Sequence, residues 1–261
     1  MDTKDRQPYI LQSLDRALQL LFLFTEEKPE LSLTEISRQM DMSNPVTLKY
    51  LTTLEQRGFL TRDEKTKRYS LGVALMALGR MVRRSSVVSA AAYPVMQRLS
   101  ETVGETVYLQ VPLHAKYEAV VAAEVKTDKS VTSRFSGSCK LYAGASRKLL
   151  LAYLGEDYLA RMLEDIRLTP YTADTNIDPE KLREELAEIR RQGYAISYAE
   201  TVAEACGIAA PIFNADGIAA SLMIYIPMYR VTDDVLRTDT QHAIRAAEEI
   251  TRALGGSMPK H

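Results

Sequence analysis

The spacing of apolar residues between positions 31 and 71 predicts a short helix, a tight turn, a longer helix and a two-stranded hairpin. Ser32 followed three residues later by Glu35 has the spacing of a capping box, which would begin the short helix. Asn44 is the predicted cap of the longer helix. Four residues of that helix recur at i, i+3, i+4 and i+7 and would form one buried face: Thr47, Tyr50, Leu51 and Leu54. Helix, turn, helix and hairpin in this order predict a winged helix-turn-helix domain.

The exposed side of this predicted motif carries side chains that suit DNA. Between Ser43 and Tyr69 the chain has six Lys or Arg residues against three Asp or Glu residues, a local excess that suits phosphate contact. Short polar side chains and cations at the start of a helix are groups that can read a major groove. We predict DNA contacts from Ser43, Asn44, Pro45, Leu48, Lys49, Arg62, Lys65, Lys67 and Arg68. The alternative is that the two helices and the hairpin belong to a larger core.

The remaining chain predicts further helices and two groups of strands. An apolar helical pattern over 14–24 would complete the core of the first domain, with Leu14 and Leu18 on its buried side. Residues 73–89 have helical composition and form either a surface helix with a basic end or a linker helix that carries dimer contacts. Six runs predict strands: 105–113, 118–125, 130–135, 194–200, 207–213 and 218–226. Grouped strands with separate helices predict an α+β domain with an antiparallel sheet over 90–256.

Composition narrows the class of protein. With 261 residues, of which 46% are hydrophobic and 26% charged, the chain has the composition of a soluble protein of two domains. Its net charge of −1 gives no overall attraction to DNA, so any contact must come from a local basic patch. Two cysteines without paired spacing favour a reducing compartment. The apolar run 17–24 is too short to span a bilayer, and we expect a cytoplasmic protein without a membrane anchor.

The sequence contains no recognisable catalytic, metal or cofactor motif. The patterns that hold nucleotides, activate a serine or bind zinc are absent from it. Cys206 has no histidine in a recognisable pairing, so an inert thiol is the simpler interpretation. We therefore expect a protein that is not an enzyme and uses no cofactor. The alternative is an enzyme whose catalytic domain is 90–256 and whose winged helix contacts another protein.

Seven segments, in their order and spacing, resemble the IclR family of bacterial transcription regulators. They are LQSLDRALQLLFLF, LSLTEISRQMDMS, YLTTLEQRGFL, RYSLG, LYAGASRKLLLAYL, RRQGYAISYAE and GIAAPIFNADG. The resemblance implies a winged helix over 10–72, a linker helix over 73–89 and an effector-binding domain over 90–256 that resembles GAF and profilin folds. It also implies a homodimer or tetramer that binds a double-stranded DNA operator and responds to a small organic effector. Such a protein represses or activates nearby metabolic genes.

The same resemblance implies an effector pocket between the sheet and the start of a helix. Its positions in this chain are Cys139, Ala145, Ser146, Ser197, Gly207, Met223 and Tyr225. The helix start at 145–147 suits an anion on physical grounds also. Free backbone N–H groups and the helix dipole favour negative charge there, and Arg147 would add a charge-assisted donor. If this assignment fails, Ser146 would merely cap the helix and Arg147 would lie in solvent.

Several of these positions depart from the family pattern. Arg147 replaces a glycine, Ser197 replaces an acidic residue, and Met223 and Tyr225 stand where two serines are common. In the longer helix, Lys49 stands where the family often has an arginine. We therefore expect a carboxylate effector with an apolar or aromatic body, larger than a two- or three-carbon keto acid. The remaining alternative is a constitutive DNA-binding protein whose pocket is filled by its own side chains.

Overall fold

The computed structural model describes residues 10–25, 28–128 and 139–259. The chain divides into two compact units, the first ending at Arg83 and the second beginning at Arg84. Each unit has its own hydrophobic core.

The first unit has the predicted order of helices and strands. Its elements are α1 (Gln12–Leu21), α2 (Leu33–Gln39), α3 (Asn44–Gln56), β1 (Leu60–Arg62), β2 (Tyr69–Leu71) and α4 (Val73–Ser85). The predicted capping box is present at the start of α2: Glu35 N donates to Ser32 Oγ at 3.3 Å, and Ser32 N donates to the Glu35 carboxylate at 2.7 Å. The strands β1 and β2 pair in antiparallel register. This confirms a winged helix-turn-helix.

Buried residues from every part of this unit meet in one core. They are Leu20, Phe24, Leu31, Ile36, Leu51, Leu60 and Tyr69. The sequence predicts Leu14, Ala17, Leu18, Leu21 and Leu23 or Phe24 on the buried side of the first helix. This is wrong for Leu14 and Leu18, which are 56% and 50% exposed, and correct for Phe24, which lies in the core together with Leu20. Apolar residues line more than one side of α1, so periodicity alone could not identify the buried side. The cap of α3 is Ser43 and not Asn44, which is the first helical residue.

The second unit is an antiparallel sheet with helices on both faces. Its elements are α5 (Val87–Val103), β3 (Thr106–Leu113), β4 (Glu118–Val125), β5 (Cys139–Lys140), α6 (Ala145–Leu154), α7 (Glu156–Asp165), α8 (Pro179–Gln192), β6 (Ala195–Tyr198), β7 (Ala205–Asn214), β8 (Gly217–Pro227) and α9 (Asp233–Ala253). The strands lie in the order β5-β4-β3-β8-β7-β6, each antiparallel to its neighbours. The predicted α+β fold is confirmed. The predicted strand over 130–135 lies outside the described residues.

The predicted helix over 73–89 is divided. The helix α4 ends at Ser85, and a new helix, α5, begins at Val87 because the Ser86 hydroxyl accepts the N–H of Ser89 as a side-chain cap. The one interruption in the sequence pattern, Gly79, lies inside α4, so the pattern did not indicate the break at Ser86.

Alternation along β8 explains how the sheet serves two cores. Met223 and Tyr225 pack with α6, α7 and α8, whereas Leu222 and Ile224 pack with α5 and α9 on the other face. Successive side chains of a strand point to opposite faces, so both can be buried only when helices cover both faces. The candidate pocket lies on the Met223 and Tyr225 face, where α6 begins.

Candidate DNA-binding and effector sites

The start of α3 exposes all five residues predicted to contact DNA. Ser43, Asn44, Pro45, Leu48 and Lys49 are exposed, and the opposite side of the helix is anchored in the core. A helix held by one face with short polar, apolar and cationic side chains on the other can enter a major groove.

The hairpin between β1 and β2 is a well-formed turn with exposed cations at its tip. The Asp63 carboxylate accepts the backbone N–H groups of Lys65 and Thr66, at 2.9 and 2.6 Å, and these bonds lower the pKa of Asp63. Lys67 has a φ of 58°, which turns the chain back toward β2. Lys65 and Lys67 are exposed, and the exposed Arg62 guanidinium lies 5.5 Å from the centre of the Tyr69 ring.

Arg68 differs from the other predicted contacts because it is already engaged within the unit. Its Nη2 lies 2.9 Å from the Glu35 carboxylate and donates to the Glu30 carbonyl oxygen at 2.9 Å. These contacts fasten the hairpin to the start of α2. Arg68 therefore holds the hairpin in place, and the exposed cations of the hairpin are Arg62, Lys65 and Lys67.

A small cavity lies where α6 begins above β7 and β8. Of the eight predicted effector residues, seven line it, together with five that were not predicted: Ala145, Ser146, Arg147, Ser197, Gly207, Met223 and Tyr225 with Gly144, Glu200, Thr201, Ala205 and Cys206. Its volume is about 20 Å³, which is room for about one water molecule. Cys139, on β5, is the predicted residue that does not line it.

Two backbone N–H groups at the start of α6 already have acceptors, contrary to the expectation that these groups are free. Gly144 N donates to Glu200 Oε2 at 2.9 Å, and Ala145 N donates to Ser197 Oγ at 2.8 Å. The other oxygen of Glu200 lies 2.5 Å from Lys148 Nζ, which also pairs with Glu185 at 2.9 Å. Side chains from β6 and the following loop therefore occupy the positions expected for an anion.

Ser146 does not cap the helix, and Arg147 does not lie in solvent. The Ser146 hydroxyl donates to Gln110 Oε1 at 3.0 Å and bonds to the Ser221 hydroxyl, forming a buried polar cluster above the sheet. Arg147 is only 2% exposed. Burial lowers the pKa of its guanidinium, and the nearby Cys139, Tyr171 and Glu118 oppose that effect.

The side of the cavity formed by the sheet is apolar and adaptable. Gly207 leaves an open space because it has no side chain. A Cβ added to it would lie 3.4 to 3.5 Å from Met223 Sδ, Ser197 Oγ and Ala145 Cβ. The Tyr225 ring packs edge-on against Tyr108, with ring centres 6.4 Å apart. Methionine and tyrosine combine apolar contact area with, in tyrosine, one hydroxyl.

Cys206 contributes to the wall but its side chain packs in the core on the other face of the sheet. Burial raises the pKa of its thiol to about 12, so the thiol stays protonated at neutral pH. The thiolate that a nucleophile needs is not available. The prediction of an inert thiol is consistent with this environment.

An open groove of about 590 Å³ lies outside the cavity and shares Ser197 and Glu200 with it. Its remaining lining includes four acidic residues and comes from α6, α8, β6 and neighbouring segments: Lys148, Asp174, Glu184, Glu185, Glu188, Ile189, Gln192, Ile196 and Tyr198. Within the described residues, no group of three or more His, Cys, Asp or Glu side chains could hold a metal ion, and no helix is long and apolar enough to cross a membrane.

The sequence did not single out Glu200, Lys148 or Thr201. Glu200 ends the segment RRQGYAISYAE and Lys148 follows Arg147, so both lie inside recognised segments. Only the pairing of β6 with β7 brings the loop after Tyr198 over the start of α6. Lys148 and Glu200 are 52 positions apart, and no local sequence pattern connects them.

A winged helix-turn-helix unit joined to a helix-covered antiparallel sheet with an internal cavity defines the class of ligand-responsive transcription regulators. The model of the bacterial transcriptional regulator IclR C-terminal domain matches residues 80–252, and that of the IclR helix-turn-helix domain matches residues 13–64. The chain belongs to the IclR family of bacterial transcription regulators.

Individual relatives support this assignment. The transcriptional repressor IclR of Escherichia coli is 30% identical over 249 residues, which cover 94% of this chain and 91% of that protein. The crystal structure of an IclR-type regulator from Silicibacter sp. superposes with a TM-score of 0.84 at 27% identity, covering 95% of this chain and 98% of that one. An IclR homologue from Microbacterium hydrocarbonoxydans, complexed with 4-hydroxybenzoate, has a TM-score of 0.73 at 25% identity and covers 94% and 99% of the two chains.

Proposed function

We propose that this regulator binds its operator as a homodimer and releases or reshapes that complex when a carboxylate with an apolar or aromatic body enters the cavity at the start of α6. The observation that carries the proposal is the convergence of Arg147, Ser197, Met223 and Tyr225 on one buried space in the second unit. The proposed domain limits are DNA binding by 10–72, a linker over 73–89 and effector binding by 90–256. The division between the two compact units, at Arg83 and Arg84, falls within that linker.

In this proposal α3 enters the major groove and the hairpin touches the phosphate backbone. Asn44 and Lys49 would meet base edges or nearby phosphates, because they are exposed at the end of α3 that faces outward. Asn44→Ala should relax sequence preference while leaving non-specific binding unchanged, as measured by fluorescence anisotropy on operator variants. Equal discrimination by wild type and Asn44→Ala would contradict this docking.

The chemistry of the cavity supports a carboxylate larger than a keto acid. Arg147 supplies positive charge to the lining of the cavity. Met223 and Tyr225 supply apolar contact at positions where serines are common in the family. The Microbacterium homologue was crystallised with an aromatic carboxylate, 4-hydroxybenzoate. That ligand class fits an arginine with an aromatic and a thioether side chain better than a small keto acid does.

A volume of about 20 Å³ cannot hold such a molecule, so binding requires side chains to move. A ligand shifts an equilibrium only through different affinities for two arrangements, and a widened cavity would be the favoured one. The same small volume favours a second candidate, a constitutive DNA-binding protein whose pocket is permanently filled by Met223, Tyr225 and Arg147.

One experiment separates these two candidates. The full chain is screened by thermal shift against carboxylic acids and aromatic metabolites, and compounds that raise the melting temperature are tested for release of DNA taken from beside its own gene. We expect a carboxylate to do both, and Tyr225→Ala or Arg147→Met to weaken its binding without changing operator affinity in its absence. If no compound in a broad library binds, the constitutive regulator is the better description.

The homodimer rests on exposed apolar residues and on the geometry of operators. Leu78 and Val82 lie on one side of α4 and are 48% and 68% exposed, and α1 exposes Leu14 and Leu18. A single winged helix covers one half-site, and two-fold symmetry matches a palindromic operator. A monomer at micromolar concentration by light scattering, with tight operator binding retained, would contradict the proposal.

An enzymatic function for the second unit has little physical support. No histidine lines the cavity, the Cys206 thiol packs on the other face of the sheet and stays protonated, and the relatives named for this chain are transcription regulators. Turnover of the identified effector by the purified protein would reverse this judgement.

A further inference from the structure

We propose that the Glu200 carboxylate is an internal substitute for the effector's carboxylate, and that an effector binds by displacing it. This inference rests on the proposed function, because it concerns how the same cavity selects and responds to a carboxylate. It identifies Glu200 as a specificity-determining residue.

Glu200 makes the contacts that a bound carboxylate would make at the start of α6. One oxygen accepts the Gly144 N–H at 2.9 Å, and the other lies 2.5 Å from Lys148 Nζ. A helix start and an ammonium group together form an anion site. The side chains of Lys148 and Glu200 are 5% and 11% exposed, so this charge pair is largely removed from water.

The Glu200 side chain can leave this site without unfolding its loop. The loop backbone is held elsewhere, by Thr172 Oγ1 on the Ala199 carbonyl at 2.7 Å and by Thr175 Oγ1 on the Glu200 carbonyl at 2.6 Å. The outer groove, which shares Glu200 with the cavity, offers space for the displaced carboxylate. A change of side-chain rotamer is therefore enough to exchange one carboxylate for another.

Two further features set how readily the exchange happens. Lys148 also pairs with Glu185 at 2.9 Å, so it keeps a partner when Glu200 leaves. The groove that would receive Glu200 already carries Glu184, Glu185 and Glu188, and like charges repel. That repulsion holds Glu200 in the anion site until a competing carboxylate replaces it, and it lowers the apparent affinity of every carboxylate that must displace Glu200.

The inference predicts that charge, not size, decides what competes with Glu200. Glu200→Gln keeps an oxygen that can accept the Gly144 N–H but loses the negative charge that pairs with Lys148. Glu101→Gln is the matched control, because Glu101 is an exposed glutamate of α5, the helix that packs on the other face of the sheet, and it lines neither the cavity nor the groove.

The test is calorimetric titration of the full chain with benzoate, phenylacetate and 4-hydroxybenzoate, each beside its uncharged amide. We expect Glu200→Gln to bind at least one carboxylate about tenfold or more tightly than wild type. The amides should change by less than about threefold, and Glu101→Gln should behave as wild type. Circular dichroism and operator affinity without effector establish that the variants are folded, and Glu200→Ala should show the same direction.

Three outcomes would overturn the inference, and they are distinguishable from one another. Equal carboxylate affinity in wild type and Glu200→Gln, with loss of binding in Tyr225→Ala, would leave the proposed pocket standing and remove the role of Glu200. An equal gain for carboxylates and amides would make Glu200 a steric plug only. If no carboxylate binds either protein while a different compound releases DNA in the broad screen, both this inference and the carboxylate effector fail.

Discussion

Gly207→Ala tests the cavity directly, because it places a methyl group in the space that the effector is proposed to use. The added Cβ would lie 3.4 Å from Ser197 Oγ, 3.5 Å from Ala145 Cβ and 3.5 Å from Met223 Sδ. These are ordinary van der Waals distances, so the methyl group fits without displacing the backbone. Gly207 is buried in β7, and its φ is not in the left-handed region that would penalise alanine.

The magnitude follows from two favourable effects. Burying one methyl group contributes about 0.8 kcal/mol, and replacing glycine where the backbone permits alanine adds roughly 0.4 to 1 kcal/mol through the unfolded state. Slight crowding at Ser197 offsets part of this, and we expect a net stabilisation of about 1 kcal/mol. For a unit of this size that raises the melting temperature by about 2 to 4 °C.

The assay combines thermal unfolding with effector binding. Gly207→Ala should melt higher than wild type yet bind a cavity-directed carboxylate at least about tenfold more weakly, since the space is filled. Gly256→Ala is the contrasting control. Its Cβ would lie 2.4 Å from the Phe213 carbonyl oxygen, and backbone cannot yield cheaply, so it should destabilise by about 2 kcal/mol or more. If Gly207→Ala is destabilised, or binds the effector as tightly as wild type, the effector does not use an open space beside Gly207.

Four other predictions follow from exposure, charge and burial. Lys65→Ala with Lys67→Ala should weaken binding to all DNA sequences and reduce the slope of log affinity against log salt by about two, and an unchanged slope would mean that the hairpin makes no phosphate contact. Ellman's reagent should label the partly exposed Cys139 in the native protein and Cys206 only after unfolding. Because the folded Cys206 thiol keeps its proton to a pKa of about 12, whereas an unfolded thiol loses it near 9, its contribution to stability should fall as pH rises above about 9. Val82→Asp should shift the proposed dimer toward monomer in light scattering, and an unchanged oligomeric state would locate the interface elsewhere.

Local patterns determined most of the secondary structure and the class of protein. The capping box of Ser32 and Glu35, the spacing of the α3 core positions and the turn between β7 and β8 depend on residues close in sequence. Such signals need no knowledge of distant contacts, which is why the winged helix and the grouped strands of the second unit were predictable. The buried side of α1 was not, because apolar residues line more than one of its sides.

The residues that line the candidate site could be predicted from the sequence, but the small volume of the cavity could not. The resemblance to a family placed Ala145, Ser197, Met223 and Tyr225 together, and the structure puts all four around one cavity. It could not show that the cavity is nearly filled, because volume depends on how side chains from α6, β6, β7 and β8 pack against each other. Packing of that kind is a property of the assembled core and has no local sequence signal.

Charge pairing separates most clearly what the sequence determines from what only the tertiary structure decides. From the sequence, Arg68 was one cation among several on a hairpin, and Glu200 was one acid at the end of a strand. Tertiary structure decided that Arg68 is held by Glu35, 33 positions away by their numbering, and that Glu200 lies on the start of α6 beside Lys148. The sequence supplied the charges. Which charges neutralise each other depends on distances of 2.5 to 2.9 Å that exist only once the helices and sheet have packed.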